Sequence, residues 1–233
     1  MEDKKRREFL RRGAVWAATA AALGRTRVSA EQEKKAGGKE EEVSPAEDLM
    51  REHGVLNRVL LMYDEMLRRL NVGSEFPPEV LAKAAGLIRR FVEDYHEKLE
   101  EDFLFPRFEK AKKLVDLVAV RRQQHQAGRP LTDSIQRHTT LAALKNADAR
   151  KELAISLRLF IRMYRPHEAR EDTVLFPAFR SIVSPHEYGA LGEEFEEKEH
   201  RLFGEDGFEK IVGEVAQLEK QLGVHDLAQF TPK

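Results

Sequence analysis

One stretch that combines histidine with glutamate occurs twice in this chain. The segment HEKLEEDFLFPRF starts at His96 and HEAREDTVLFPAF starts at His167, with seven of thirteen positions identical at an offset of 71 residues. Each copy opens with His-x-x-x-Glu, which places Glu100 and Glu171 four residues after their histidines. Residues four apart share one face of an α-helix, with Cβ atoms about 5–6 Å apart. Each pair can therefore reach a common metal cluster.

A further histidine precedes each copy at nearly the same distance. His53 lies 43 residues before His96, and His125 lies 42 residues before His167. The chain therefore contains one helix pair twice, and closure of two such pairs into a four-helix bundle brings equivalent inward faces together. We predict a dinuclear site in which each ion takes two imidazoles and shares two carboxylate bridges. The six predicted ligands are His53, His96, Glu100, His125, His167 and Glu171.

Taken singly, each histidine has a simpler explanation. A lone histidine on an apolar helical face is more often a hydrogen-bonded core residue than a ligand, but core packing gives no reason for matched offsets in both halves. The acidic neighbours are expected to face solvent or to orient the imidazoles from outside; they are Glu97, Glu101, Glu168 and Asp172. The histidines outside the repeat are not expected to bind, with only His200 kept as an outside candidate; the others are His138, His186 and His225.

The order of these motifs, with Leu-Phe-Pro after each His-x-x-x-Glu, resembles the hemerythrin/HHE cation-binding family over residues 45–180. The resemblance implies an up-down four-helix bundle, two non-haem iron ions as cofactor, and the same six ligands. Oxygen-carrying members have a fifth histidine one turn before the third-helix ligand, where this chain has Arg121. They also have an aspartate at the offset of Asp172, so the fourth-helix ligand is Glu171 or Asp172. The repeated Glu100 favours Glu171.

The composition fits a helical, metal-binding protein. At 233 residues, with 41% hydrophobic and 35% charged residues, the chain suits one all-α domain with appendages. The absence of cysteine excludes disulfides, thiolate nucleophiles, Fe–S clusters and cysteine-bound zinc, so a metal must bind through histidine and carboxylates. Residues 1–30 carry eight Lys/Arg against three Asp/Glu, which leaves the remainder at a net charge of −6. An acidic remainder argues against binding to nucleic acid.

Periodicity and capping signals predict four long helices. They cover about residues 44–70, 78–105, 108–144 and 148–176, with a kink at Pro130, and form the bundle at residues 45–180. A second capping box at Ser184 and a turn at residues 204–207 predict two shorter helices in a C-terminal extension, residues 181–233. The last helix is expected to bury Ile211, Val215, Leu218 and Leu222. An apolar sleeve around the ligands is expected from Leu60, Val92, Phe103, Phe160, Met163 and Val174.

Residues 1–30 resemble a twin-arginine export signal. Arg6 and Arg7 precede a short apolar run at residues 13–24, and small residues at 28–30 resemble a cleavage site. Lys5 departs from the Ser or Thr preferred there. Twelve apolar-leaning residues are too few to span about 30 Å of hydrocarbon, so no stable membrane insertion is expected after signal removal.

The expected localisation is therefore periplasmic or extracellular, and cytoplasmic if the signal is not functional. Residues 31–44 are polar, lack apolar periodicity and are predicted to form a flexible linker.

Three functions fit these observations. The first is a di-iron protein that binds or senses a small ligand, O2 or NO, or iron itself. The second is a di-iron oxidoreductase acting on peroxide, NO or Fe(II), and the third is a metal-free helical interaction module. The absence of a nucleophile paired with a base favours binding over catalysis. The sequence leaves open the choice among carrier, sensor and enzyme, the metal used in vivo and the oligomeric state.

Overall fold

The computed structural model describes residues 43–232, and every regular element in this range is helical. Helix α1 is Pro45–Val72 and α3 is Val115–Arg137. Helix α2 runs through five consecutive segments, Pro78–Leu87, Ile88–His96, Glu97–Leu99, Glu100–Leu104 and Phe105–Ala111. Helix α4 is the short Leu141–Lys145, and α5 comprises Ala147–Arg170, Glu171–Leu175 and Phe176–Phe179. Helices α6 and α7 are Pro185–Phe203 and Gly207–Leu222, followed by a 3₁₀ turn, Leu227–Phe230.

The four long helices close into a bundle. Helix α2 packs against α1 and α3, and α5 packs against the same two helices from the other side. Helices α6 and α7 pack against each other and against α1, and α7 also covers the start of α2. The predicted all-α bundle with additional C-terminal helices is confirmed. The predicted signal segment and residues 31–42 of the predicted linker lie outside the described residues.

Two predicted helix starts are confirmed at their capping residues. The Ser44 hydroxyl accepts the Glu47 N–H at 3.3 Å, and the Ser184 hydroxyl accepts the Glu187 N–H at 3.2 Å. In each case the side chain satisfies one of the donors that the first helical turn leaves unpaired. Helix α1 ends at Gly73, whose φ of 74° lies in the left-handed region that glycine adopts without strain.

Other boundaries differ from the prediction. Helix α2 continues to Ala111, because the helical conformation ends only where Lys112 and Leu114 adopt left-handed φ angles of 53° and 52°. Helix α3 therefore starts later than predicted, and it ends at Arg137. Helix α5 is capped by Asn146, whose side chain accepts the Ala149 N–H at 2.9 Å. The prediction of Asp148 as the cap was wrong.

The duplicated motif produces a duplicated irregularity in the backbone. The Phe105 N–H bonds to the carbonyl of Glu100, and the Phe176 N–H bonds to that of Glu171, each five residues back as in a π-helix. A proline follows each phenylalanine and has no N–H to continue an α-helical pattern. The Leu-Phe-Pro sequence therefore ends a π-helical turn that begins at each predicted glutamate ligand.

The core of the bundle is aromatic and aliphatic. Its largest fully buried side chains include Tyr63, Phe91, Phe105, Phe160 and Phe179. All four residues predicted to face inward from α7 are buried. Of the predicted sleeve, Leu60, Val92 and Phe160 are buried, whereas Phe103 and Met163 are half-buried. The inclusion of Val174 was wrong, because its side chain is 37% exposed. Among residues 43–232 no helix is both long and apolar enough to cross a membrane.

Candidate metal centre

The bundle brings all six predicted ligands together in its interior. Helix α1 contributes one, α2 two, α3 one and α5 two, so every long helix takes part. Each of the six residues is no more than 4% exposed. Their positions are His53 on α1, His96 and Glu100 on α2, His125 on α3, and His167 and Glu171 on α5.

Each buried glutamate faces imidazoles from two helices. Glu171 Oε2 lies 3.0 Å from His167 Nε2 and 3.5 Å from His53 Nε2. Glu100 Oε2 lies 3.3 Å from His125 Nε2 and 4.0 Å from His96 Nε2. Each carboxylate therefore lies between two imidazoles from different helices, where it could be shared by two ions.

The donor atoms fall into two overlapping groups. Nitrogen and oxygen atoms of Glu100, His125, His167 and Glu171 all lie within 4.8 Å of one another, and so do those of His53, His96 and Glu100. The ring centroids of His53 and His96 are 4.7 Å apart, and those of His125 and His167 are 5.1 Å apart. The geometry thus pairs α1 with α2 and α3 with α5, and Glu100 belongs to both groups.

Several of these atoms have no hydrogen-bond partner although they are buried. They are His96 Nε2, His125 Nε2, and both carboxylate oxygens of Glu100 and of Glu171. An unsatisfied buried polar group costs about 1–3 kcal/mol, and more when it is charged, so six of them at one point need an explanation. Neutral imidazoles and carboxylates are ligands for iron, manganese and zinc. The residues present therefore fit a pair of such ions.

Burial keeps the four imidazoles neutral. It lowers the pKa of His96 to about 4 and that of His125 to about 4, and it lowers the pKa of His53 as well. The pKa of His167 is also lowered, well below its usual value, by burial first and then by the nearby guanidinium of Arg121. A neutral ring carries a lone pair, which is the form that binds a metal.

Burial acts in the opposite direction on the carboxyl groups. It raises the pKa of Glu100, as does the charge of the neighbouring Glu171, whose own pKa is raised by burial. Two buried carboxylates that both carry a negative charge are unfavourable in free energy. A cation between them would offset both their desolvation and their mutual repulsion.

The outward nitrogen of each imidazole has a partner that orients the ring. Asp172 Oδ1 lies 2.7 Å from Nδ1 of His53, and Glu101 Oε1 lies 3.1 Å from Nδ1 of His125. Asp172 and Glu101 thus each contact the outward nitrogen of a predicted ligand. Of the other two predicted acidic neighbours, Glu97 accepts the Tyr164 hydroxyl and lies 4.0 Å from Nδ1 of His125, and Glu168 accepts the Asn57 amide.

The partners of the other two imidazoles, His96 and His167, were not predicted from the sequence. Glu52 Oε2 lies 2.7 Å from Nδ1 of His96, and Gln124 Oε1 lies 2.9 Å from Nδ1 of His167. Both residues directly precede a predicted ligand, Glu52 before His53 and Gln124 before His125. Each orients a ring from a different helix, so only the packing of the bundle identifies them. All four imidazoles therefore direct Nε2 inward, and an outward hydrogen bond can fix the tautomer.

The geometry distinguishes the two carboxylates considered on α5. Glu171 is fully buried between two Nε2 atoms, whereas Asp172 contacts the outward nitrogen of His53 and its side chain is 34% exposed. This arrangement favours Glu171 as the ligand and Asp172 as the residue that orients the ring.

Arg121 occupies a place beside the centre. It is 3% exposed, and its Nε lies 3.4 Å from Glu171 Oε1 without forming a hydrogen bond. Its guanidinium also donates to Gln124, the partner of His167. A buried cation with an unused donor therefore lies directly beside Glu171.

The remaining histidines lie outside the cluster. His138 Nδ1 pairs with the backbone carbonyl of Ser134 at the end of α3, and His200 is about one-third exposed with Glu196 nearby. His186 and His225 are exposed. None of these four belongs to a group able to hold a metal within residues 43–232.

Comparison with known proteins gives one family and a set of close relatives. The profile of the hemerythrin HHE cation binding domain matches residues 44–179. Uncharacterized protein Rv1995 of Mycobacterium tuberculosis (strain H37Rv) and Uncharacterized protein Mb2018 of Mycobacterium bovis are each 53% identical over 190 residues, which is 82% of this chain and 74% of the relative. No solved structure gives a significant match.

Proposed function

This chain belongs to the hemerythrin HHE cation-binding family, and on that premise we propose that its bundle holds two non-haem iron ions and binds or senses a small ligand such as O2 or NO. The observation that carries the proposal is the set of unpaired donor atoms converging on the buried centre. When bound, the iron pair supplies changes of oxidation state and open positions for a small ligand.

The number of protein ligands supports small-ligand binding over structural cross-linking. Four imidazoles and two carboxylates offer at most about eight donor atoms. Two ions that each take about six donors would need about twelve, and one shared solvent molecule would serve both, so about two positions would remain for a small ligand. A purely structural site is more often closed by protein.

The residues around the centre suit a small anionic or polar ligand. The Arg121 Nε provides a buried donor next to Glu171 that no protein acceptor uses. Phe105 stacks on His125 and Phe176 stacks on His53, so apolar rings cover two of the imidazoles and limit the access of water. The site therefore combines one charged donor with a largely dry enclosure.

Azide tests this function. We expect the diferric protein to bind about one azide per iron pair with a new visible band, and Arg121→Gln to weaken azide binding about tenfold, since a hydrogen bond to a charged group contributes about 1.5–3 kcal/mol. The exposed Arg158→Gln on α5 is the control and should bind azide like the wild type. Iron-loaded protein that shows no spectral response to azide, and none to NO in the reduced state, would rule out an open site.

We propose in addition that residues 1–30 direct export of the folded, metal-loaded protein. The support is the arginine pair and the short apolar run described above. Replacement of Arg6 and Arg7 by lysine should leave the full-length protein in the cytoplasm, because the twin-arginine route depends on both side chains. Fractionation followed by measurement of chain mass checks this. Secretion of a shortened chain by the lysine variant would contradict the proposal.

A further inference from the structure

The carboxylate beside His125 is held by a charged side chain from another helix. Glu101 Oε1 lies 3.1 Å from His125 Nδ1, and the same oxygen accepts a hydrogen bond from Arg129 Nη2 at 2.7 Å. Arg129 lies on α3, one turn after His125, whereas Glu101 lies on α2. The guanidinium therefore joins the two helices at the carboxylate oxygen that faces the imidazole.

The other oxygen of Glu101 is drawn toward solvent. Lys98 Nζ donates to Glu101 Oε2, and the Lys98 side chain is 48% exposed, whereas that of Glu101 is 12% exposed. Exposed ion pairs contribute little free energy, so Lys98 does not fix the carboxylate in one direction. Among the described residues, Arg129 is the only cation that binds the oxygen beside His125.

Glu97 holds Arg129 from its other side. The same Nη2 donates to Glu97 Oε2 at 3.0 Å, and Glu97 Oε1 accepts the Tyr164 hydroxyl at 2.7 Å. Both Glu97 and Tyr164 are buried. A Cβ added to Gly128 would lie 2.2 Å from the Tyr164 hydroxyl oxygen, so glycine is needed there for α5 to approach α3 this closely. A buried, hydrogen-bonded carboxylate thus anchors the guanidinium.

The duplicated half of the chain has the same positions but lacks this connection. The equivalent positions are Asn57 for Arg129, Glu168 for Glu97 and Asp172 for Glu101. The Asn57 amide donates to Glu168 Oε2 at 2.9 Å. Within residues 43–232 no hydrogen bond joins Asn57 to Asp172, the carboxylate beside His53. The imidazoles of His53 and His125 are therefore held unequally.

We propose that Arg129 is a positioning residue of the candidate metal centre, which holds Glu101 against Nδ1 of His125 and so keeps Nε2 of that ring directed toward Glu100. The inference rests on the proposed function, because it takes His125 as a ligand. A proton held on Nδ1 leaves the lone pair on Nε2, which is the nitrogen that faces inward. Arg129 acts through Glu101, and Asn57 has no such effect on His53.

Nitrogen-15 NMR of the imidazoles in the metal-free full chain at neutral pH tests this inference. In the wild type His125 should carry its proton on Nδ1, and Arg129→Gln should populate the form with the proton on Nε2. Arg137→Gln, the same change at an exposed position of α3, should leave the wild-type form. His96 is the internal reference, because its partner Glu52 lies on α1 and should keep that ring unchanged.

Iron affinity gives a second measurement, by competition with a chelator. Arg129→Gln should weaken binding about tenfold, the lower end of the effect of residues that orient metal ligands. Arg129→Lys keeps the positive charge, so it should lose less affinity and retain more of the wild-type form of His125. Asn57→Ala is the counterpart in the other half and should leave the proton of His53 on Nδ1.

The NMR measurement separates this inference from the proposed function, since it needs no bound metal. A shifted proton on His125 in a chain that takes up no iron would support the role of Arg129 and count against the proposed function. An unchanged His125 ring in both Arg129→Gln and Arg129→Lys would show that Glu101 keeps its direction without the guanidinium, and would overturn the inference whatever the iron content.

Discussion

Replacing His96 or His167 with alanine will reduce bound iron to well below two per chain. His96 belongs to one of the two donor groups and His167 belongs to the other. His96 turns Nε2 toward Glu100, and His167 turns Nε2 toward Glu171. Loss of one imidazole removes a neutral donor. The buried carboxylate beside it, Glu100 or Glu171, is then left without that neighbour in an interior that excludes water. Elemental analysis of purified, folded variants measures the effect.

Two histidines provide matched controls for that experiment. His138→Ala removes a ring that pairs with the Ser134 carbonyl at the end of α3, and His225→Ala removes an exposed ring. Both variants should retain the iron content of the wild type. If all four variants contain equal amounts of iron, the assignment of ligands is wrong.

Removing an outer partner of one imidazole will weaken iron binding without removing a ligand. Asp172→Ala deletes the carboxylate 2.7 Å from His53 Nδ1, so the ring loses the contact that directs its other nitrogen toward Glu171. Such partners typically contribute about 10–100-fold in metal affinity. We expect a loss of that size, measured by competition with a chelator at fixed pH.

Asp102→Ala is the control for this change, because Asp102 is an exposed acidic residue on α2. It removes the same charge from the surface without touching an imidazole and should leave the affinity unchanged. An Asp172→Ala variant that binds iron as tightly as wild type would mean that packing against Phe176 alone orients His53.

The repeated motif contained most of the information needed to predict the fold and the site. Two copies of His-x-x-x-Glu at one offset, each preceded by a histidine, require equivalent inward faces, and the bundle places all six residues within one buried centre. Helix starts with a serine cap were also predictable, as at Ser44 and Ser184, because the cap bond is made within one turn.

Features that depend on packing between distant segments were not predictable. Glu52 and Gln124 are ordinary polar residues on their own helices, and their role follows only from the position of His96 and His167 on other helices. Likewise, Asp148 has a residue type suited to a cap, but the chain enters α5 at Asn146. The exposure of Val174 follows from the π-helical turn Glu171–Leu175, which breaks the 3.6-residue period used to place it.

The burial of Glu199 close to Asp48 shows the same limit at greater range. Asp48 and Glu199 are 151 positions apart in the sequence, and Glu199 lies in a helix rich in exposed acidic residues. No local pattern distinguishes it from its neighbours. Its burial results from the turn at Gly207, which brings α7 back against α1.

Elemental analysis of the purified wild-type protein, together with its near-ultraviolet and visible spectrum in air, tests directly whether the bundle holds two iron ions. We expect about two iron ions per chain and the near-ultraviolet absorption that an oxidised di-iron site would give. Zinc in place of iron, or folded protein without bound metal at the six predicted ligands, would contradict it.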